Sequence, residues 1–374
     1  MHDNQPDPSP SILRLNAVDY WYWTRYYVDV FRECPFRCAY CHTGRRAPAR
    51  GLRPVPGLPD RRITVGLGLF CDVYGPGAGG NQAVAGILRG LYRKGNAVTL
   101  QTKSDQVVRH LDLLRRFAEQ DRARVTITLI TTDPVLAADL EGASPPPRRR
   151  LQALRRLRDA GVPAGVAATP LVPLVNDNPG QLEELVAAAA EAGAGWLLFS
   201  GFDPVPRFFR DHRRQPTAAL MQDPDRLQRH YRETAARMAV LAARAGLSLR
   251  IPRVHRGRLE RNFACSAVSE HLFTISYYHE LAGNTVEAVR YRRAAYRIDA
   301  MGEAHWYRKS GGTAPPEHTA RSLRGCPSLK SIVFQKKLGY IRGVNPEIES
   351  VIEEFTETGS SRVLAQAQAR IINE

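Results

Sequence analysis

The sequence has few cysteines, few lysines and no long apolar run. Six cysteines in 374 residues are too few for the dense disulfide framework of a small secreted domain, and three of them crowd into one short segment. No stretch approaches the about 20 apolar residues of a membrane-spanning helix. The first residues, MHDNQPDPSPSILRL, are polar and proline-rich, unlike a secretory signal. We therefore expect a cytoplasmic protein with no membrane partner.

Acidic residues are scarce relative to basic ones. The chain carries 37 Asp and Glu against 53 Lys and Arg, a net charge of +16, and only six of the basic residues are lysines. A basic surface attracts phosphate, but a diffuse arginine excess does not by itself indicate nucleic-acid binding. The densest run, at residues 148–158, falls on a predicted helix and is also typical of a solvated face. The charge therefore neither excludes nor favours a nucleic-acid partner.

Strand and helix patterns alternate through the middle of the chain. Apolar runs predict six strands, at 27–31, 63–70, 97–101, 124–130, 163–169 and 196–200. Amphipathic periodicity predicts the helices between them, at 82–93, 105–119, 147–160 and 181–192. This alternation indicates a parallel sheet, most simply a partial or full α/β barrel.

The pattern changes after residue 202. Long helices are predicted at 224–245 and 266–297, a short strand at 247–251, and two helices near the C-terminus. Three regions follow from this: an N-terminal segment at 1–26, the barrel at 27–202 and a mostly helical C-terminal extension at 203–374. The extension is the candidate substrate-binding or lid region.

The segment ECPFRCAYCHTG directly follows the first predicted strand, where barrels display functional loops. Cys34, Cys38 and Cys41, separated by three and then two residues, are able to bind one 4Fe–4S cubane and leave its fourth iron without a protein ligand. The alternatives are a zinc site with His42 as fourth ligand and a plain buried cysteine cluster. Zinc frameworks prefer two separated ligand pairs, and no second pair lies nearby in the sequence. The spacing therefore favours the iron–sulfur cluster.

CPFRCAYC resembles the CxxxCxxC signature of the radical S-adenosylmethionine (SAM) superfamily, with Tyr40 in the aromatic place before the last cysteine. The likeness extends over roughly residues 27–202 to the spore photoproduct lyase-like branch. The segments that carry it are VDVFRECPFRCAYCHTG, LGLFCDVYGP with Asp72, VTLQTKSDQVVRHLDLL with Lys103 and Ser104, VTITLITTD followed by Glu141 and Arg150, and TPLVPLVND with Asn176 and Asp177.

The resemblance implies a partial (β/α)6 radical SAM barrel with SAM across its C-terminal mouth. It implies that the cluster cleaves SAM reductively to a 5′-deoxyadenosyl radical, with an electron donor such as flavodoxin or ferredoxin. It also implies a set of residues near SAM, namely Tyr40, Asp72, Lys103, Ser104 and Arg150. The polarity of Lys103, Ser104 and Arg150 suits an exposed helix start equally well. Ala78 stands where the branch commonly has a glutamate for SAM's amino group, so either backbone carbonyls replace that acid or the loop serves another substrate.

Three cysteines lie outside the motif: Cys71, Cys265 and Cys326. They are small buried thiols, hydrogen-atom donors that complete the reaction, or ligands of a second iron–sulfur cluster. Cys326, in a glycine–proline context, is the first candidate donor, followed by Cys71 and Cys265.

Two functional classes follow from the resemblance. The favoured one is natural-product tailoring, such as epimerisation or sulfur insertion, on a small carbohydrate- or nucleoside-like substrate. The other is repair of DNA or RNA lesions. A non-catalytic iron–sulfur or zinc protein that binds nucleic acid is a third, weaker interpretation.

Overall fold

The computed structural model describes residues 11–31, 34, 36–41, 53–58, 63–75, 78–203, 205–254, 263–309 and 329–373. The chain divides into two units, Met1–Val254 and His255–Glu374. The functional regions expected at 1–26, 27–202 and 203–374 stay predictions.

One eight-stranded sheet forms the centre of the first unit. Its strands are β1 Ser11–Asp19, β2 Thr24–Asp29, β3 Arg53–Pro54, β4 Thr64–Leu67, β5 Ala97–Thr102, β6 Ala123–Thr128, β7 Ala164–Ala168 and β8 Leu197–Phe199. Their order is β3-β1-β2-β4-β5-β6-β7-β8. From β2 to β8 all neighbours are parallel, whereas β1 pairs antiparallel with both β2 and β3. The six parallel strands are the six predicted ones, which confirms the α/β class.

Helices connect most of the parallel strands. Those of the first unit are α1 Ala78–Arg93, α2 Leu111–Ala118, α3 Pro134–Glu141, α4 Pro147–Asp159, α5 Pro179–Glu191, α6 Gln215–Met221 and α7 Pro224–Arg244. A 3-10 turn, Asp105–His110, precedes α2. Between β2 and β4, the residues that the structure describes include no helix. Every residue of β6 and β7 is buried.

The second unit is helical. It contains α8 Phe263–Leu281, α9 Thr285–Lys309, α10 Leu329–Phe334, α11 Pro346–Thr358 and α12 Arg362–Asn373, as the predicted helical extension requires. The strand predicted at 247–251 is wrong. Only an isolated bridge between Trp196 and Ser248 forms there, and the Arg250 N–H donates to the Ser248 hydroxyl at 3.1 Å instead of to a neighbouring strand. No helix of the described residues is long and apolar enough to cross a membrane.

Candidate active site

The cysteine motif lies on the loop that follows β2, at the edge of the sheet where the parallel strands end. Cys38 is buried, and Cys34 and Cys41 are partly exposed. The Cys41 N–H donates to the Cys38 carbonyl at 3.1 Å, and the Ala39 N–H donates to the Leu140 carbonyl at 2.8 Å. The second contact ties the loop to the end of α3. The motif therefore lies at the end of the parallel strands, where the sequence predicts it.

An apolar cluster surrounds the three cysteines. Its buried members besides Cys38 are Phe36, Tyr40, Ile130, Leu140, Val172, Phe202, Val205 and Phe208, and Cys34 and Cys41 pack against it. These side chains come from the cysteine loop and from segments that follow β6, β7 and β8. Such packing keeps water away from the loop and lowers the local dielectric constant, which strengthens every charge interaction there.

The donor set fits an iron–sulfur cubane. None of the cysteines that the structure describes, Cys34, Cys38, Cys41, Cys71 and Cys265, forms a disulfide. Within the described residues, no three or more His, Cys, Asp or Glu side chains converge to hold a single metal ion. A cubane takes one thiolate at each of three irons, and the motif supplies three cysteines on one loop. His42, the fourth ligand of the zinc alternative, lies outside the described residues.

Cys34 has the environment of a thiolate. The Cys71 thiol, the largest influence, together with the backbone N–H groups of Phe36 and Asp72 and the positive charge of Lys103, lowers the pKa of Cys34 against the effect of burial. The neighbouring Cys34 and burial raise the pKa of Cys71. The hydrogen bond that Cys71 Sγ donates goes to the Asp72 carbonyl at 3.8 Å.

Cys38 and Lys103 also interact through their charges. Burial raises the pKa of Cys38 to about 11, although the ammonium group of Lys103 opposes that rise. Burial lowers the pKa of Lys103, but the negative charges of Cys38, Glu141 and Asp72 outweigh this effect and leave its pKa above the ordinary value. Lys103 is thus a protonated, positively charged side chain beside the cysteine loop.

Glu141, at the end of α3, connects three of the site's side chains. The Tyr40 hydroxyl donates to Glu141 Oε1 at 2.5 Å, and Lys103 Nζ lies 3.8 Å from the same oxygen. Arg150 Nη1 pairs with Glu141 Oε2, and Glu141 and Arg150 are both almost completely buried. Lys103 Nζ also lies 5.7 Å from the centre of the Tyr40 ring. The other acceptors of the Arg150 guanidinium are the Thr128 carbonyl at 3.2 Å, the Ser144 hydroxyl at 2.5 Å and the Pro145 carbonyl at 2.6 Å.

Asp72 holds the ends of β4 and β5 together. Its carboxylate accepts from the Thr102 hydroxyl at 2.7 Å, the Lys103 N–H at 2.7 Å and the Tyr74 N–H at 3.0 Å. Burial raises the pKa of Asp72 to about 6, with the nearby Cys34 contributing. Ser104 is buried, and its hydroxyl accepts from the Gln106 N–H at 3.2 Å as the cap of the 3-10 turn. Asp72 thereby fixes the backbone from which Lys103 projects.

The structure therefore brings together most of the residues predicted from the sequence. The cysteine loop, Tyr40, Asp72, Lys103 and Arg150 form one connected network. Contact of Tyr40, Asp72, Lys103, Ser104 and Arg150 with SAM stays a prediction. Cys71 donates to the Asp72 carbonyl at 3.8 Å, whereas Cys265 is buried in α8 of the second unit. Cys326 lies outside the described residues.

The sequence places Glu141 within the resemblance but assigns it no role. The signal was weak, because α3 is a short segment, PVLAADLE, with no clear amphipathic period. Only the fold shows that its last residue is fully buried between Tyr40 and Arg150. A lone acid beside an arginine nine residues later carries no such information in the sequence.

No protein-family model matches the chain. Uncharacterized proteins of Mycobacterium tuberculosis and Mycobacterium bovis are 29% identical to it over 198 residues, which cover 47% of this chain and 58% of each relative. An uncharacterized protein of Acidianus two-tailed virus is 30% identical over 97 residues, 25% of this chain and 32% of the relative. The chain thus spans less than two thirds of the length of these curated relatives.

Two solved proteins have similar folds. A spore photoproduct lyase variant is 13% identical, with a TM-score of 0.43 over 63% of this chain and 79% of its own. Streptococcus suis SuiB bound to S-adenosylmethionine is 15% identical, with a TM-score of 0.34 over 51% of this chain and 46% of its own. Because both TM-scores lie below 0.5, the functional conclusions below rest on the chain's own residues. Spore photoproduct lyase, whose branch the sequence resembles, is among the solved structures similar to this chain.

Proposed function

We propose that the chain is a radical SAM enzyme in which Cys34, Cys38 and Cys41 bind a 4Fe–4S cluster. The observation that carries this proposal is the meeting of three cysteines at the CxxxCxxC spacing on an apolar loop after a parallel strand, with Lys103 beside them. When bound, the cluster supplies the electron that cleaves SAM to methionine and a 5′-deoxyadenosyl radical.

The protein's own residues bind and orient the cluster and SAM and shield them from water. The apolar cluster around the loop excludes water and keeps the motif cysteines in a medium of low dielectric constant. The hydrogen bond from Tyr40 to Glu141 fixes the loop between the second and third cysteines. Lys103, whose backbone N–H donates to Asp72, places a positive charge beside the motif cysteines, where it would attract the carboxylate of SAM.

The substrate that we propose is a small carbohydrate- or nucleoside-like molecule, from which the radical removes a hydrogen atom in epimerisation, sulfur insertion or a related tailoring step. Cys326, Cys71 and Cys265 stay candidates for completing the reaction or for binding a second cluster. A flavodoxin or ferredoxin of the cytoplasm would supply the electron. Lesion repair on DNA or RNA is the second candidate function, favoured by the net charge of +16.

The proposal is tested by reconstituting the full chain with iron and sulfide under anaerobic conditions. We expect about four irons and four sulfides per chain, and 5′-deoxyadenosine when SAM and dithionite are added. Replacing Cys34, Cys38 or Cys41 by alanine should abolish both cluster assembly and 5′-deoxyadenosine formation, because losing one thiolate exposes a second iron. The Val135→Ala variant is the control, since its side chain is 77% exposed on α3. Undiminished 5′-deoxyadenosine from any of the three cysteine variants would refute the proposal.

A further inference from the structure

Arg37, between the first and second cysteines of the motif, has an unusual backbone conformation. Its φ is +48°, in the left-handed region that glycine adopts freely and that strains a residue with a side chain. The neighbouring Phe36 and Cys38 are buried, whereas Arg37 is exposed. The loop therefore buries the residues on either side of Arg37 and leaves its guanidinium in solvent.

No contact within the chain compensates this strain. In the part of the chain that the structure describes, the Arg37 side chain forms no hydrogen bond, ion pair or ring contact. Strained backbone persists where something else favours it, and such residues cluster at functional sites. Because an exposed guanidinium offers positive charge and hydrogen-bond donors, the compensating interaction is one with a negatively charged partner.

The segment that follows β8 adds positive charge beside the cysteine loop. Residues 205–214, VPRFFRDHRR, include four arginines and one aspartate. Phe208 of this segment belongs to the apolar cluster around the motif cysteines, so the segment lies against the loop. Arg214 pairs with Asp139 at 2.8 Å, whereas Arg210 is exposed and has no partner among the described residues. We call the two exposed cations, Arg37 and Arg210, the basic rim.

A protein bound at the basic rim would lie beside the proposed cluster. The Cα atoms of Arg37 and Cys38 are about 3.8 Å apart, because one trans peptide bond joins them. Electron transfer between proteins slows steeply with distance, so a one-electron donor has to dock where little protein separates it from the cluster. An acidic carrier protein has the charge that the basic rim attracts. Nucleic acid has the same sign of charge but carries no electron to the cluster.

We propose that Arg37 and Arg210 form the docking site of an acidic one-electron carrier protein, such as a flavodoxin, that reduces the cluster. In this step the flavin hydroquinone gives one electron to the cluster and becomes the semiquinone. The inference rests on the proposed function and adds to it the surface through which the electron enters.

The first test measures binding of a labelled flavodoxin to the full-length protein by fluorescence anisotropy, with and without reconstituted iron. Arg37→Glu and Arg210→Glu should each weaken binding about tenfold at low salt, and the difference should shrink as salt rises. Arg37→Lys, which keeps the charge, should retain most of the affinity. The control is Arg93→Glu, which makes the same change of charge on the exposed last residue of α1, at the edge of the sheet where β5 begins. An equal loss of affinity in Arg93→Glu would reduce the effect to net charge and overturn the inference.

Arg37→Gly separates docking from the stability of the loop. Glycine adopts a positive φ without strain, so this variant should unfold at the same temperature as the unchanged protein or at a higher one. It should nevertheless bind flavodoxin about as weakly as an alanine variant at the same position does. Full affinity in Arg37→Gly would show that the donor does not contact this side chain, and the inference would fail.

The yield of 5′-deoxyadenosine distinguishes this inference from the proposed function. Dithionite is a small reductant that needs no docking site, so the ratio of flavodoxin-supported to dithionite-supported activity should fall about tenfold in Arg37→Glu. An unchanged ratio would overturn the inference and leave the proposed function standing. If the unchanged protein cleaves SAM with neither reductant, the proposed function fails, although flavodoxin binding at the rim is still measurable. Duplex DNA that displaces flavodoxin at equal concentration would assign the rim to phosphate and would also overturn the inference.

Discussion

Glu141 has no exposed surface, yet it carries the charge that neutralises Arg150 and orients Tyr40. Removing one partner of a buried ion pair leaves the other charge uncompensated, at a typical cost of about 3–5 kcal/mol. We therefore expect Glu141→Gln to lower the thermal unfolding midpoint markedly and to reduce the iron content after reconstitution. Differential scanning calorimetry and iron analysis measure the two effects.

The matched control for Glu141 is Glu191→Gln, at the end of α5. Its carboxylate lies 3.5 Å from Arg155 Nη2, and its side chain is 77% exposed. Exposed ion pairs contribute little to stability, so this variant should unfold at the original temperature. Equal unfolding midpoints for the two variants would show that Glu141 does not hold the site together.

At the scale of single elements, the turn after β4 depends on Gly68. Its φ is +76°, and a Cβ atom at this position would lie 2.0 Å from the Gln101 carbonyl oxygen on β5. Alanine would therefore force the backbone apart just before Cys71 and Asp72. We expect Gly68→Ala to lower the unfolding midpoint and to weaken cluster binding, as measured by iron content and visible absorbance.

Gly161, in the turn after α4, separates the strain of a left-handed backbone from the clash of a Cβ atom with β5. Its φ is +72°, but a Cβ atom there would have no neighbour within 4 Å. Gly161→Ala should cost only the strain of a left-handed residue, about 1–2 kcal/mol, and should leave the iron content unchanged. If Gly68→Ala is no worse than Gly161→Ala, close approach to β5 does not constrain the site.

The sequence was sufficient to predict the parallel strands but not the strands β1 and β3 at the edge of the sheet. Strands such as β6 and β7 are buried on both faces, so their apolar runs can be recognised in the sequence. By contrast, β1 is half-polar and β3 has only two residues, and both were missed. The short helix α3 was missed for the same reason, since it has neither length nor period. The site followed the same rule: residues after apolar strands were given roles from the sequence, whereas Glu141, named only within the resemblance, receives its role from its burial and contacts.

The charge of the whole molecule is partly compensated where it is densest. On α4, Arg149 pairs with Asp105 at 2.6 Å, Arg155 with Glu191 at 3.5 Å and Arg158 with Asp159 at 2.6 Å. These contacts favour the solvated helix face that was one of the two interpretations of this segment. Arginines already engaged with carboxylates release fewer counterions when phosphate approaches, so they contribute less to polyanion affinity.

We therefore expect weak, sequence-blind binding to duplex DNA, with a dissociation constant in the micromolar range or above at physiological salt. Fluorescence anisotropy with a labelled duplex, repeated between about 50 mM and 200 mM salt, measures both the affinity and its salt dependence. The Arg148→Ala/Arg156→Ala double variant removes two exposed charges of α4 and should change the salt slope by no more than about two, the loss expected if each had contacted one phosphate. Intact and lesion-containing duplexes should bind equally, because shared phosphate contacts carry no information about the bases. Clearly tighter binding to the lesion would instead favour nucleic-acid repair over a small-molecule substrate.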